Sequence, residues 1–201
     1  MNGLTQRQQV DTSARTTLTA TASDEELVAR YREFRADAAL EELVKRHVPR
    51  VRAMIFQMVL DDNAADDLTQ ETLLRAVRAI DSYQGRSQFG TWLYRIAMNT
   101  THGYLDRQNR SPVVFQDALV EPSCSDSSPD RAATNAELRP QIETAIATLS
   151  PKLRAAIVLT ALQGLSAREA SAIEDCGEST MHWRVHEARK QLKHKLRDYL
   201  S

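Results

Sequence analysis

Between Thr180 and Lys195 the chain concentrates side chains that bind anions and base edges: His182, Arg184, His186, Arg189, Lys190, Lys193 and Lys195. Met181, Val185, Ala188 and Leu192 recur at spacings of four, three and four residues, so the run predicts a helix with one apolar face opposite a cationic one. Upstream, Ser166 with Glu169 three residues later predicts a capped helix that buries Ala170 and Ile173. That helix must end near Asp175-Cys176-Gly177, where Gly177 has no Cβ and Asp175 tolerates left-handed dihedrals. Two helices on a tight turn, the second cationic outside, form a helix-turn-helix whose second helix suits the major groove. A plain helical hairpin with a solvated charged face is the competing reading of this run alone.

Two further clusters matter. From Phe89 to Arg110, rings, amides and cations mix along one predicted helix: Phe89, Trp92, Arg95, Asn99, His102, Tyr104 and Arg107. Exposed rings beside cations suit the stacking of unpaired bases. The alternative is that Phe89 and Trp92 are core, and the expectation is a largely buried Phe89 with Trp92 partly so. From Asp61 to Glu71 the acids Asp61, Asp62, Asp66, Asp67 and Glu71 occur without any Lys or Arg, either as solvated surface near a helix start or as a docking face for a basic partner. Other chemistry is not indicated. His186-Glu187 lacks a second His at Lys190, no Gly-rich phosphate loop or catalytic triad is visible, and His182, His186 and Cys176 are better explained as groove-facing than as metal ligands. No catalytic residue, metal or cofactor is therefore expected. Cys124 and Cys176 lie too far apart to suggest a disulfide framework.

The elements that position these clusters read as all-α. Aromatic content is 5%, Gly and Pro number six each, and only Pro112 to Phe115 hints at a strand. Formal net charge is −1, so no global attraction to nucleic acid follows and the local asymmetry carries the signal. Residues 1–22, rich in Thr, Gln and Ser, read as a disordered tail. Ser23 and Glu26 predict a capping box for a first helix with Leu27, Tyr31 and Phe34 inward. A second helix runs from about Ala38 to Leu60, with Leu40, Leu43, Val44, His47, Val51, Ile55, Met58 and Val59 as its stripe and Pro49 expected to kink or split it. His47 on that stripe reads as a satisfied core or boundary side chain. A third helix, Asn63 to Ile80, turns Ala64, Leu68, Leu73, Leu74, Val77 and Ile80 inward, and Gly85 marks the turn before the fourth. Residues 111–131 carry Pro112, Pro122 and Pro129 among Ser and Asp, the composition of a flexible linker. Two small helical domains follow, 23–110 and 132–201. In the second, Ser150-Pro151 starts a helix that Gly164 ends. No run is long and apolar enough to cross a bilayer and no leader is visible, so a cytoplasmic protein without membrane insertion is expected.

Three segments in order, Asp66 to Ala76 (DDLTQETLLRA), Phe89 to Asn99 (FGTWLYRIAMN) and Leu149-Ser150-Pro151 with the terminal helix-turn-helix, closely resemble the extracytoplasmic-function (ECF) sigma factors of bacterial RNA polymerase. The resemblance spans nearly everything from Ser23 to Leu200. It implies a subunit that binds core RNA polymerase, brings it to promoter DNA and helps melt it, with an anti-sigma factor as a further partner. By position, it implies a polymerase-docking surface at Asp66, Asp67, Leu68, Gln70, Glu71, Leu74 and Arg75. It places Trp92, Arg95, Asn99, His102, Tyr104 and Arg107 at the −10 element and its melted strand, and Thr180, His182, Trp183, Arg184, His186, Arg189 and Lys190 at the −35 element. The family usually has a Gly near Asp175 and Thr-Val-Lys-Ser-Arg where this chain has Thr180 to Arg184, and Glu187 stands where a basic residue is common, which leaves the promoter sequence open. Two other readings remain open here: a helix-turn-helix regulator that binds only duplex DNA, and an adaptor that mimics a sigma factor to sequester an inhibitor.

Overall fold

The computed structural model describes residues 21–110 and 141–197. The linker and the Pro112 to Phe115 run fall outside them, as do most of the N-terminal tail and the first residues of the domain expected over 132–201. Among the described residues every regular element is helical: α1 (Asp24–Phe34), α2 (Asp37–Val59), α3 (Asp62–Ala79) with a 3-10 turn at Ile80–Ser82, α4 (Phe89–Arg110), α5 over 141–147, α6 (Pro151–Ile157) widening into a π turn at Val158–Leu162, α7 (Ala167–Ile173) and α8 (Glu178–Lys195).

Where the described residues begin, the chain is held more firmly than its composition implies. Ser23 and Glu26 close the capping box reciprocally at 3.2 and 3.0 Å. Ala22, assigned to the tail, is buried, and its carbonyl accepts from Arg46 at 2.7 Å. Asp24 accepts from Arg46 and sits 2.6 Å from His47, whose ring also meets Phe89 edge-on, so His47 is a satisfied boundary residue as its stripe position implied. Phe34 departs from expectation at 69% exposed: the chain turns back through a left-handed Arg35 immediately after it, leaving the last side chain of α1 outside the packing.

Pro49 neither splits α2 nor ends it; the helix is continuous across it. A proline there has no N–H for the carbonyl of Lys45 and costs about 3 kcal/mol. Val51, Met54, Ile55 and Met58, all fully buried just beyond, contribute roughly 1.5–3 kcal/mol each, and that outweighs the cost. Leu60 then stops the helix in the left-handed region, its N–H donating to the Phe56 carbonyl.

The C-terminal half follows its punctuation closely. Pro151 opens α6 at the first helical position, although the Ser150 hydroxyl makes no capping bond. Gly164, at φ +72°, sits where a side chain would be strained. Ser166 and Glu169 form the second capping box, and those hydrogen bonds hold the Glu169 carboxyl below its ordinary range. A Ser166→Ala chain should lose about 1 kcal/mol of stability in urea unfolding. Because the Glu169 value is depressed on folding, the wild-type advantage should be full above the ordinary glutamate range and vanish as pH falls through the lowered value.

The two helical halves are packed together. α4 lies against α7, and the C-terminal part of α2 lies against α6 and the π turn. Their buried residues form one apolar cluster that runs from Leu27 and Met54 through Ala97 to Leu159, Ile173 and Met181. Across this seam the Arg154 guanidinium donates to the Met58 carbonyl and Gln163 donates to Gln57 at 3.1 Å.

Candidate nucleic-acid interface

The helix-turn-helix is built by local rules and one exchange of roles. α7 ends at Ile173 and the left-handed residue in the turn is Asp175, at φ 49°; Gly177, expected to supply that freedom, is extended and serves as N-cap of α8. Met181 and Ala188 are fully buried, with Val185 and Leu192 packed beside them, which fixes the orientation of α8. The helical pitch of about 100° per residue then gathers His182, Trp183, His186, Arg189 and Lys190 on one exposed stripe. Trp183 is 61% exposed there. Thr180 is also exposed but lies on another side of the helix start. Arg184 is not on the outer face as expected: its side chain is only 11% exposed and pairs with Glu174 at 3.4 Å. The pitch explains this, because position 184 falls beside the buried seam of Met181 and Ala188.

On α4, steps of three and four residues align Trp92, Arg95, Asn99 and His102 on one side. Phe89 is buried, and Trp92 is half-buried, tilted 5.4 Å from both the Tyr83 and Phe89 rings. Arg95 and Asn99 are exposed. Tyr104 is not gathered with them. It lies about 200° round the helix from His102, toward Asp61 and Asp67, and burial followed by those two charges raises its phenol pKa. Its hydroxyl accepts from Gln108 at 2.7 Å. Arg107 is exposed near the C-terminal end of α4.

The acidic surface of α3 is less uniformly charged than its sequence implies. Asp61 caps the helix, accepting from the Ala64 N–H at 2.8 Å. Arg52 donates to Asp66 at 2.6 Å and Asp62 at 2.8 Å, which pushes the Arg52 pKa up. Glu71 pairs with Arg75. Asp67 is exposed and has no hydrogen bond or ion pair among the described residues. Leu74, expected inward, is 59% exposed and shares the stripe of Asp67, Gln70 and Glu71, whereas Leu68 is buried and serves the core.

One cluster was not foreseen. Glu174, only 5% exposed at its side chain, places one carboxylate oxygen 2.9 Å from His102 Nε2 on α4 and the other against Arg184 on α8. Its neighbour Asp175 pairs with Arg95 at 3.1 Å. Three side chains assigned to two separate DNA faces, Arg95, His102 and Arg184, thus converge on two adjacent carboxylates. Contacts between residues 72 positions apart leave no trace in local periodicity.

Residues 43–111 match the family model described as Sigma-70 region 2, and residues 139–192 match that described as Sigma-70, region 4. The chain is 35% identical over 162 residues to the ECF RNA polymerase sigma-E factor of Escherichia coli, an alignment covering 77% of this chain and 84% of that protein. It is 34% identical over 165 residues to the ECF RNA polymerase sigma factor SigE of Mycolicibacterium smegmatis, covering 80% of this chain and 61% of the relative. Among solved structures, the sigma factor RpoE of Bartonella quintana in complex with the anti-sigma factor NepR aligns at TM-score 0.66 and 27% identity, over 78% of this chain and 96% of the other. CnrH in complex with the cytosolic domain of CnrY has the same fold, at TM-score 0.67 and 24% identity, over 88% of this chain and 99% of that one.

Proposed function

This chain belongs to the ECF sigma factors of RNA polymerase, and on that premise we propose that it binds core RNA polymerase through α3, reads the −35 element with α8 and engages the opened −10 strand along α4. The observation that carries the reading is the exposed stripe of His182, Trp183, His186, Arg189 and Lys190 on a helix whose other side is locked into the fold. Groove entry needs that division between a fixed apolar side and a free polar one. Trp92 beside Arg95 and Asn99 supplies a stacking surface, a cation and an amide, the groups that a base leaving the duplex requires. Asp67 and Leu74 supply a charged and an apolar contact for docking.

The chain acts as a specificity subunit in the cytoplasm without catalytic residues of its own. Among the described residues no helix is long and apolar enough to cross a membrane. An anti-sigma factor is its expected inhibitor, in keeping with the Bartonella quintana relative that was solved with one.

Purified chain added to core polymerase should direct transcripts from defined starts. No such transcripts, together with a tight duplex footprint by the chain alone, would favour the duplex-only regulator. At a promoter mapped in this way, Trp92→Ala should lower strand opening, read by permanganate reactivity of thymines, about tenfold. Trp92→Phe should retain most of it, since a ring remains to stack.

A further inference from the structure

We propose that Glu174 and Asp175 form an intramolecular docking surface for part of the DNA-facing side of α4, so that the free chain occupies Arg95 and His102 with its own carboxylates. The proposal rests on the assignment of α4 and α8 to DNA.

The turn between α7 and α8 presents both acids to α4. Asp175 is left-handed, and its carboxylate reaches Arg95 at 3.1 Å. Glu174 is anchored within its own unit by Arg184 and extends its second oxygen to His102 at 2.9 Å. A carboxylate offers a cation what a phosphate offers, anionic oxygens in hydrogen-bonding reach. Arg95 Nη2 and His102 Nε2 must leave these carboxylates before those atoms can contact a DNA strand.

The contact is more than a single surface ion pair. At the other end of the seam the Arg154 guanidinium binds the Met58 carbonyl and Gln163 binds Gln57, while the apolar residues between belong to one buried cluster. Two polar anchors flanking an apolar strip hold one orientation, and in that orientation Arg95 and His102 of α4 meet the turn after α7 while Asn99 between them stays exposed. DNA must then compete with this internal ligand, and the apparent affinity falls by the fraction of chains that are open.

The test uses the full chain without polymerase. Glu174→Gln/Asp175→Asn removes both charges at constant shape. Asp175→Asn alone leaves Arg184 its partner and keeps a residue that tolerates the left-handed backbone. Scattering gives the radius of gyration, and a labelled oligothymidylate reports single-strand affinity. Glu33→Gln/Glu41→Gln, two exposed acids of α1 and α2, controls for net charge. The double variant should expand and bind the oligonucleotide about tenfold more tightly than wild type, Asp175→Asn should gain less, and the control should gain little. Unchanged radius and affinity in both variants, expansion without tighter binding, or an equal gain in the control would each overturn the proposal. Promoter-directed transcription by wild type with core polymerase is read separately. Its absence rejects the assignment to DNA, whereas intact transcription without the gain rejects only the internal cover.

Discussion

An Asp67→Lys chain should bind core RNA polymerase on the order of fiftyfold more weakly than wild type, a change of ~2.3 kcal/mol, while unfolding at the same temperature. The neighbouring acids explain why the effect concentrates at this position. Asp61 spends its carboxylate on the first turn of α3, and Asp62 and Asp66 share Arg52. Glu71 is paired with Arg75 one turn away. Asp67 projects its charge unpaired among the described residues, on the stripe that also carries the exposed Leu74. A lysine there places a like charge against a basic partner, and contacts of that kind cost several kcal/mol when desolvated. Nothing in the fold depends on Asp67, so its reversal should cost no more stability than an ordinary exposed charge. Asp66→Lys offers the internal comparison, because it breaks the Arg52 pair and should lose both some affinity and a little stability. Surface-immobilised core polymerase titrated with each chain provides the measurement. Equal affinity of wild type and Asp67→Lys would exclude α3 as the docking face.

The features legible from sequence are those governed by a few neighbouring residues. Both capping boxes need only a serine and a glutamate three apart, and both form. Gly85 and Gly164 take positive φ where the chain must turn. The apolar side of α8 follows from a four-three-four spacing. Errors arise where a neighbour can substitute or where a partner is distant. In the helix-turn-helix both Asp175 and Gly177 could take the left-handed position; Asp175 does, which leaves Gly177 free to cap α8. Leu74 fits an inward pattern by periodicity, yet α2 and α4 cover α3 on another side, and nothing among the described residues covers Leu74. Arg184 counts as one more cation in the sequence, while in the fold it is the partner of Glu174. The packing of one half on the other was the least legible feature of all, since composition of 111–131 speaks only for the tether and says nothing of surfaces that meet across it.

Arg154 should give the largest loss of stability among polar substitutions: Arg154→Ala is expected to lower the unfolding free energy by about 3 kcal/mol. Its guanidinium is half-buried between the halves, and that partial burial lowers its pKa from the ordinary arginine value. Burying a cation is unfavourable unless its donors are used; here Nη1 and Nη2 reach the carbonyls of Met58, Ala147 and Leu149, while the buried Nε has no partner among the described residues. Met58 lies in the last turn of α2, and Ala147 and Leu149 lie at the end of α5, places where carbonyls have no helical N–H to accept from. One side chain therefore serves two helix ends that belong to different halves of the molecule. Truncation leaves those carbonyls without a donor and opens a cavity beneath α6, and the two losses act together. Arg154→Lys should recover only part of the stability, because an ammonium cannot span carbonyls set apart by the width of a guanidinium. Urea unfolding followed by circular dichroism measures the loss, and scattering reports whether the seam opens before the helices melt. If Arg154→Ala unfolds at the wild-type midpoint, the seam is held by its apolar strip alone and Arg154 contributes no net stability.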